Sequence, residues 1–183
     1  MTDRNLYIND ELGFSIEKPE DWTFIPKQWA INLIINRADP PSEGNDNLIQ
    51  YAQEPLVYFH YDHRLSDLVL PTVQAMHRMI IGVSSIDRPT FLRMQLIQLE
   101  AVFRDFCLLE ATSDGIISKR PANIIKSTFT VFNQNGTELE CLSRCYLIFA
   151  GDHVLSVEMS GPIGGEFCCE KEFRDVLTSI RFE

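Results

Sequence analysis

The chain has 183 residues, of which 45% are apolar and 23% charged, the proportions of one ordinary globular domain rather than of a disordered chain. Its formal net charge of −10 repels phosphate backbones and anionic headgroups, which argues against nucleic acid and membrane surfaces and for a neutral or basic protein partner. No run approaches the roughly 18 apolar residues that a membrane span needs.

The opening residues Met-Thr-Asp-Arg-Asn-Leu-Tyr carry no basic stretch followed by an apolar one, so no secretion signal is expected. Leu6–Asn9 and Phe14–Glu17 read as a hairpin turning through Asp10 to Gly13, and Lys18-Pro19 closes it. Trp22-Thr23-Phe24 and residues 30–36 read as further strands. Residues 39–47 (Asp-Pro-Pro-Ser-Glu-Gly-Asn-Asp-Asn) are expected to form a mobile loop, because two prolines remove donors and the remainder prefer turns.

Residues 56–61 alternate as a strand. Beyond them Leu65, Leu68/Val69, Thr72/Val73, Met76, Ile80 and Val83 recur at three- or four-residue spacing, which predicts a helix begun or kinked at Pro71. A second helix is predicted from Thr90, a potential N-cap, with Leu92, Leu96, Leu99 and Phe103 on one face.

The second half reads as antiparallel sheet. Residues 106–111 and 124–132 are strand-like, with a turn at Ser113-Asp114-Gly115. Asn135-Gly136 is the strongest hairpin signal, since both residues tolerate positive φ. Gly151-Asp152 predicts another tight turn into residues 154–159, and Gly161-Pro162-Ile163-Gly164-Gly165 a flexible connector. A closing amphipathic helix turns Phe173, Val176 and Leu177 inward and ends in Ser179-Ile180-Arg181-Phe182.

The segments YINDELGFSIEKPEDW (7–22), FCLLEATSDGIISKRPANIIKSTF (106–129) and FRDVLTSIRF (173–182) resemble the opening, central strand pair and closing helix–strand of the PsbP-like superfamily. Lys119-Arg120-Pro121-Ala122 stands where members carry a Gly-x-Pro-Ala-like corner. The superfamily includes the PsbP subunit of photosystem II, DcrB-like proteins, type VI effector chaperones and a Ran-binding import factor. The resemblance implies a single α+β domain over 1–183, an antiparallel sheet flanked by helices on both sides. Members share architecture rather than chemistry, so no binding residue carries over. The absent signal points to the cytosolic branches, chaperones and adaptors.

Candidate chemistry is sparse. His60, Asp62 and His63, with His77 beyond, are the metal-like residues, and on a strand His60 and Asp62 share a face while His63 turns away. Two ligands need a third, and no HExxH-like spacing supplies it, so no metal or cofactor is expected.

Cysteines Cys107, Cys141, Cys145, Cys168 and Cys169 are odd in number with two adjacent, which is no disulfide framework and points to a reducing cytoplasm. Cys141 and Cys145 read as core thiols beside Leu147 and Phe149, while Glu166, Glu170 and Glu172 oppose a thiolate at Cys168-Cys169. No Gly-x-Ser-x-Gly elbow and no phosphate loop is present.

The function expected is therefore non-enzymatic: an accessory or adaptor protein, such as a cytoplasmic chaperone for a secreted effector. Val57, Phe59 and Tyr61 form the apolar side of their strand, leaving Tyr58, His60 and Asp62, with Trp29 nearby, as the expected partner surface. The alternatives are a small-molecule or metal-binding module using His60 and Asp62, and a structural subunit of a larger assembly.

Overall fold

The structure, a computed structural model, describes residues 5–26, 55–61, 70–79, 87–132, 136–163 and 169–183. The expected strand at 30–36 and the loop at 39–47 lie outside the described residues. The chain begins with β1 (Leu6–Asn9) and β2 (Phe14–Glu17), paired antiparallel around a turn in which Gly13 takes a φ of 57°. There follow β3 (Trp22–Phe24), β4 (Val57–Tyr61), β5 (Thr72–Met79) and helix α1 (Arg88–Val102). The second half runs β6 (Cys107–Ile117), β7 (Arg120–Phe132), β8 (Glu138–Ala150), β9 (His153–Pro162), helix α2 (Glu170–Ser179) and β10 (Arg181–Phe182).

Every pairing among the described strands is antiparallel. Seven strands form one sheet in the order β3-β4-β5-β9-β8-β7-β6, and β1-β2-β10 form a second. The class is α+β, as the sequence predicts.

Alternation along the strands builds two cores. Phe59, Val73, Tyr146, Ile148, Val157 and Met159 join Phe14 and Ile16 of β2 and Phe173 and Val176 of α2. Residues one step along the same strands, Ile125, Cys145, Leu147 and Val154, join Phe91 and Leu92 of α1. Each such fully buried side chain contributes roughly 1.5–3 kcal/mol. The chain end is tied into the first core: Phe182 pairs with Phe14 in register, their rings 5.7 Å apart, and Ser179 Oγ accepts the N–H of Glu17 at 2.9 Å.

The structure corrects several expectations. The helix predicted through 65–83 is strand β5 where it is described. Thr72, Val73, Met76 and Ala75 fit a two-residue period as well as a helical one, and pairing with β9 over eight residues decides between them. Val73 and Ala75 are wholly buried on the core side, and Pro71 lies just before the strand, where its missing donor costs nothing.

Helix α1 begins two residues before Thr90. Its N-cap is Asp87, whose carboxylate accepts the Thr90 N–H at 2.7 Å. Ser113-Asp114-Gly115 is no turn but a register irregularity inside β6. The turn falls at Ser118-Lys119, both at positive φ (47° and 65°), the conformation of a type I′ hairpin. Gly161-Pro162 belong to β9 rather than to a connector, paired with Leu142 and Cys141.

β7 and β8 pair antiparallel, as the hairpin predicted at Asn135-Gly136 requires, with Phe132 opposite Glu138 and Gly136 at φ 77°; Asn135 lies outside the described residues. Gly151-Asp152 makes the tight turn expected, with Ala150 opposite His153.

Candidate functional site

Of the four residues expected to form a partner surface, Trp29 and Asp62 lie outside the described residues. Tyr58 is a correction: it is only 4% exposed, although it faces away from the core that holds Val57 and Phe59. The alternation is as read, but in a seven-stranded sheet the second face of an inner strand need not be solvated. His60 is half-buried on β4 opposite Thr72 and Thr23. Among the described residues no group of three or more His, Cys, Asp or Glu side chains is placed to hold a metal ion.

That second face carries a polar row over its middle strands. Gln74 Nε2 donates to Glu158 Oε2 at 2.6 Å, Ser156 Oγ donates to Glu158 Oε1 at 3.3 Å, and Thr72 and Ser160 hydroxyls meet at 3.1 Å. Cys145 Sγ lies 3.8 Å from Ser156 Oγ, and burial pushes its thiol far above the ordinary range. A thiol held protonated is no nucleophile. Cys141 is equally buried, and Cys169, the N-cap of α2, makes no side-chain cap bond and has Glu170 and Glu172 in the following turn. The row is a partly buried hydrogen-bonded network in which Gln74 Oε1 has no partner among the described residues, and its one thiol is not activated for attack.

The feature that sequence reasoning missed is the outer edge of the large sheet. Strand β6 is eleven residues long and pairs, among the described residues, with β7 alone. Its first five residues, Cys107 to Ala111, are all exposed, on both faces. Leu109 is 52% and Ile116 74% exposed. Helix α1 packs beside β6, and its Met94, Ile97 and Val102 are exposed.

Acidic side chains border this strip: Asp105, Glu110, Asp114 and Glu138 are exposed there. The Arg104 guanidinium is held on Glu138 at 3.2 Å and lies 4.9 Å from the Phe132 ring centre. The register shifts after Leu108 and Thr112 twist the edge, which guards it against indiscriminate strand pairing while leaving its side chains presented. The only sequence signal was Cys-Leu-Leu followed by Ile-Ile in a strand-like run, and such a run also fits a buried strand.

No family model matches the chain, and no curated protein matches it in sequence. Solved structures do match in fold. Cyanobacterial PsbP (CyanoP) from Synechocystis sp. PCC 6803 superposes with a TM-score of 0.53 over 99% of this chain and 94% of its own, at 12% identity. The fold is PsbP-like.

LpqN, involved in cell envelope biogenesis of Mycobacterium tuberculosis, shares the PsbP-like frame at a TM-score of 0.54 and 12% identity, over 92% of this chain and 82% of that one. A Bacteroides thetaiotaomicron protein matches 98% of this chain, which spans only 48% of that protein's length, at 13% identity and a TM-score of 0.48. No described helix is long and apolar enough to cross a membrane.

Proposed function

We propose that this PsbP-like chain is a non-enzymatic accessory or adaptor protein whose partner docks on the β6 edge and the adjoining side of α1. The observation that carries the reading is a strand rich in leucine and isoleucine whose first five residues are exposed on both faces and which pairs, among the described residues, with β7 alone. A monomer rarely leaves a contiguous apolar strip in water without a use for it. The acidic border and the net charge of −10 favour a partner with basic groups around an apolar centre. Of the surface expected from the sequence, His60 alone is described and accessible, and one half-buried imidazole anchors little, so β6 takes its place.

A chaperone for a secreted effector is the narrower form of this proposal, supported by the superfamily resemblance. We take 1–183 as one domain with helices on both sides of the sheet, a layering supported by the separate clusters that α1 and α2 join. A cytoplasmic location is supported by the exposed free thiol of Cys107.

The test is affinity capture from lysate of the source organism with the wild-type chain and with Leu109→Lys as matched baits. A stoichiometric partner held by the wild type and lost by the variant supports the reading. A partner held equally by both, or turnover of substrate by the purified chain, overturns it.

A further inference from the structure

The two sheets do not close on each other everywhere. Where the β1–β2 turn and β10 reach the ends of β5, β7, β8 and β9, they leave a cleft of about 270 Å³. At about 30 Å³ per water that is room for about nine waters, or one small organic molecule. Its walls are apolar: Leu12 and Phe14 from the hairpin, Leu155 from β9 and Phe182 from β10.

The polar groups converge from the strand ends. His77 of β5 and His153 of β9 lie on the same side of the large sheet, two register pairs apart, and their Nε2 and Nδ1 atoms are 2.8 Å apart. One ring must donate its N–H to the other, so the contact holds a single proton. Burial and the neighbouring His153 hold the His77 imidazole below its ordinary value of 6.5. Arg120 of β7 completes the set. Its guanidinium lies 5.6 Å from the Phe182 ring centre and makes no ion pair among the described residues. Ala150 of β8 sits between the strands that carry Arg120 and His153, and its small side chain keeps the space between them open.

A guanidinium with no ion pair among the described residues, set near an aromatic ring and lining the same cleft as two hydrogen-bonded imidazoles and several apolar side chains, is an arrangement suited to an organic anion. Glu11 at the rim opposes a second negative charge and so disfavours phosphate dianions. We propose that this cleft binds a small monocarboxylate, its charged end between Arg120 and the His77–His153 pair and its apolar body on Leu12, Phe14, Leu155 and Phe182. The site is separate from the β6 edge, so it stands or falls independently of the adaptor reading.

Benzoate is the probe, with benzylammonium as its charge-inverted control. Imidazole ¹H–¹⁵N spectra of the full chain are titrated with each. Benzoate is expected to shift the His77 and His153 ring signals saturably, and benzylammonium to leave them in place. Arg120→Gln is expected to weaken benzoate binding by about tenfold or more. Ala150→Leu, which fills the cleft without touching the charged groups, is expected to abolish it, and Lys171→Gln on a distant surface to change nothing. No shift with benzoate, equal shifts with both probes, or wild-type binding by folded Arg120→Gln and Ala150→Leu overturns the proposal.

Discussion

Nε2 of His77 and Nδ1 of His153 meet at 2.8 Å across two strands whose sequence positions are 76 residues apart. This contact requires at least one unprotonated acceptor nitrogen, and burial adds to the cost of charging His77. The folded state therefore binds protons at His77 less readily than the unfolded chain does. Stability from this group is fully present above the unfolded value of 6.5 and falls as pH drops from there through the lowered folded value. Glu11, Arg120 and His153 line the same cleft as His77. Urea midpoints of wild type and His77→Asn, compared at neutral and mildly acidic pH, check this: the variant is expected to lose less on acidification.

Gly115 is required for steric reasons. A Cβ built there would lie 2.9 Å from the Ala122 carbonyl oxygen and 2.6 Å from Ile124 Cδ1, and the backbone oxygen cannot step aside as a side chain can. Gly115→Ala is expected to cost about 1–3 kcal/mol, read from chemical denaturation.

Trp22 is 3% exposed, edge-on to Phe59, Tyr61 and Phe173, and its Nε1 has no hydrogen-bond partner among the described residues. An unmet indole N–H costs about 1–3 kcal/mol, which Trp22→Phe relieves while losing some packing. The expected cost of Trp22→Phe is under about 2 kcal/mol, against about 3–5 kcal/mol for Trp22→Ala.

The thiols differ in access. Of the four described cysteines, Cys107 is exposed while Cys141, Cys145 and Cys169 are buried. Alkylation of the native protein followed by mass spectrometry is expected to label Cys107 first, with the three others labelled on unfolding.

Much of this was legible in the chain, and the failures share a cause. The β1–β2 hairpin and the Gly151-Asp152 turn were readable because local chemistry, Asp and Gly at turn positions between alternating apolar residues, decides them. The closing helix was readable from Phe173, Val176 and Leu177 for the same reason. β5 was not, because Val73 and Met76 fit helix and strand alike until β9 supplies the pairing. Ser118-Lys119 adopts positive φ with neither glycine nor asparagine present; the long β6–β7 ladder imposes that turn. Tyr58 was placed on the right face, but whether that face meets water depends on distant segments. The His77–His153 contact and the position of β6 at the edge of the described sheet are likewise products of strand order, which no local spacing encodes.

Whether a partner covers β6 and α1 is decided by hydrogen–deuterium exchange on the captured complex. Ile116→Lys, at a side chain 74% exposed, is expected to shift stability by no more than about 0.5 kcal/mol and so serves as a folded, binding-deficient reference. Amides of β6 and of exposed α1 positions are expected to exchange more slowly in the wild-type complex than in the free chain, with no such protection for Ile116→Lys. Unchanged exchange along β6, with protection elsewhere on the molecule, would contradict it.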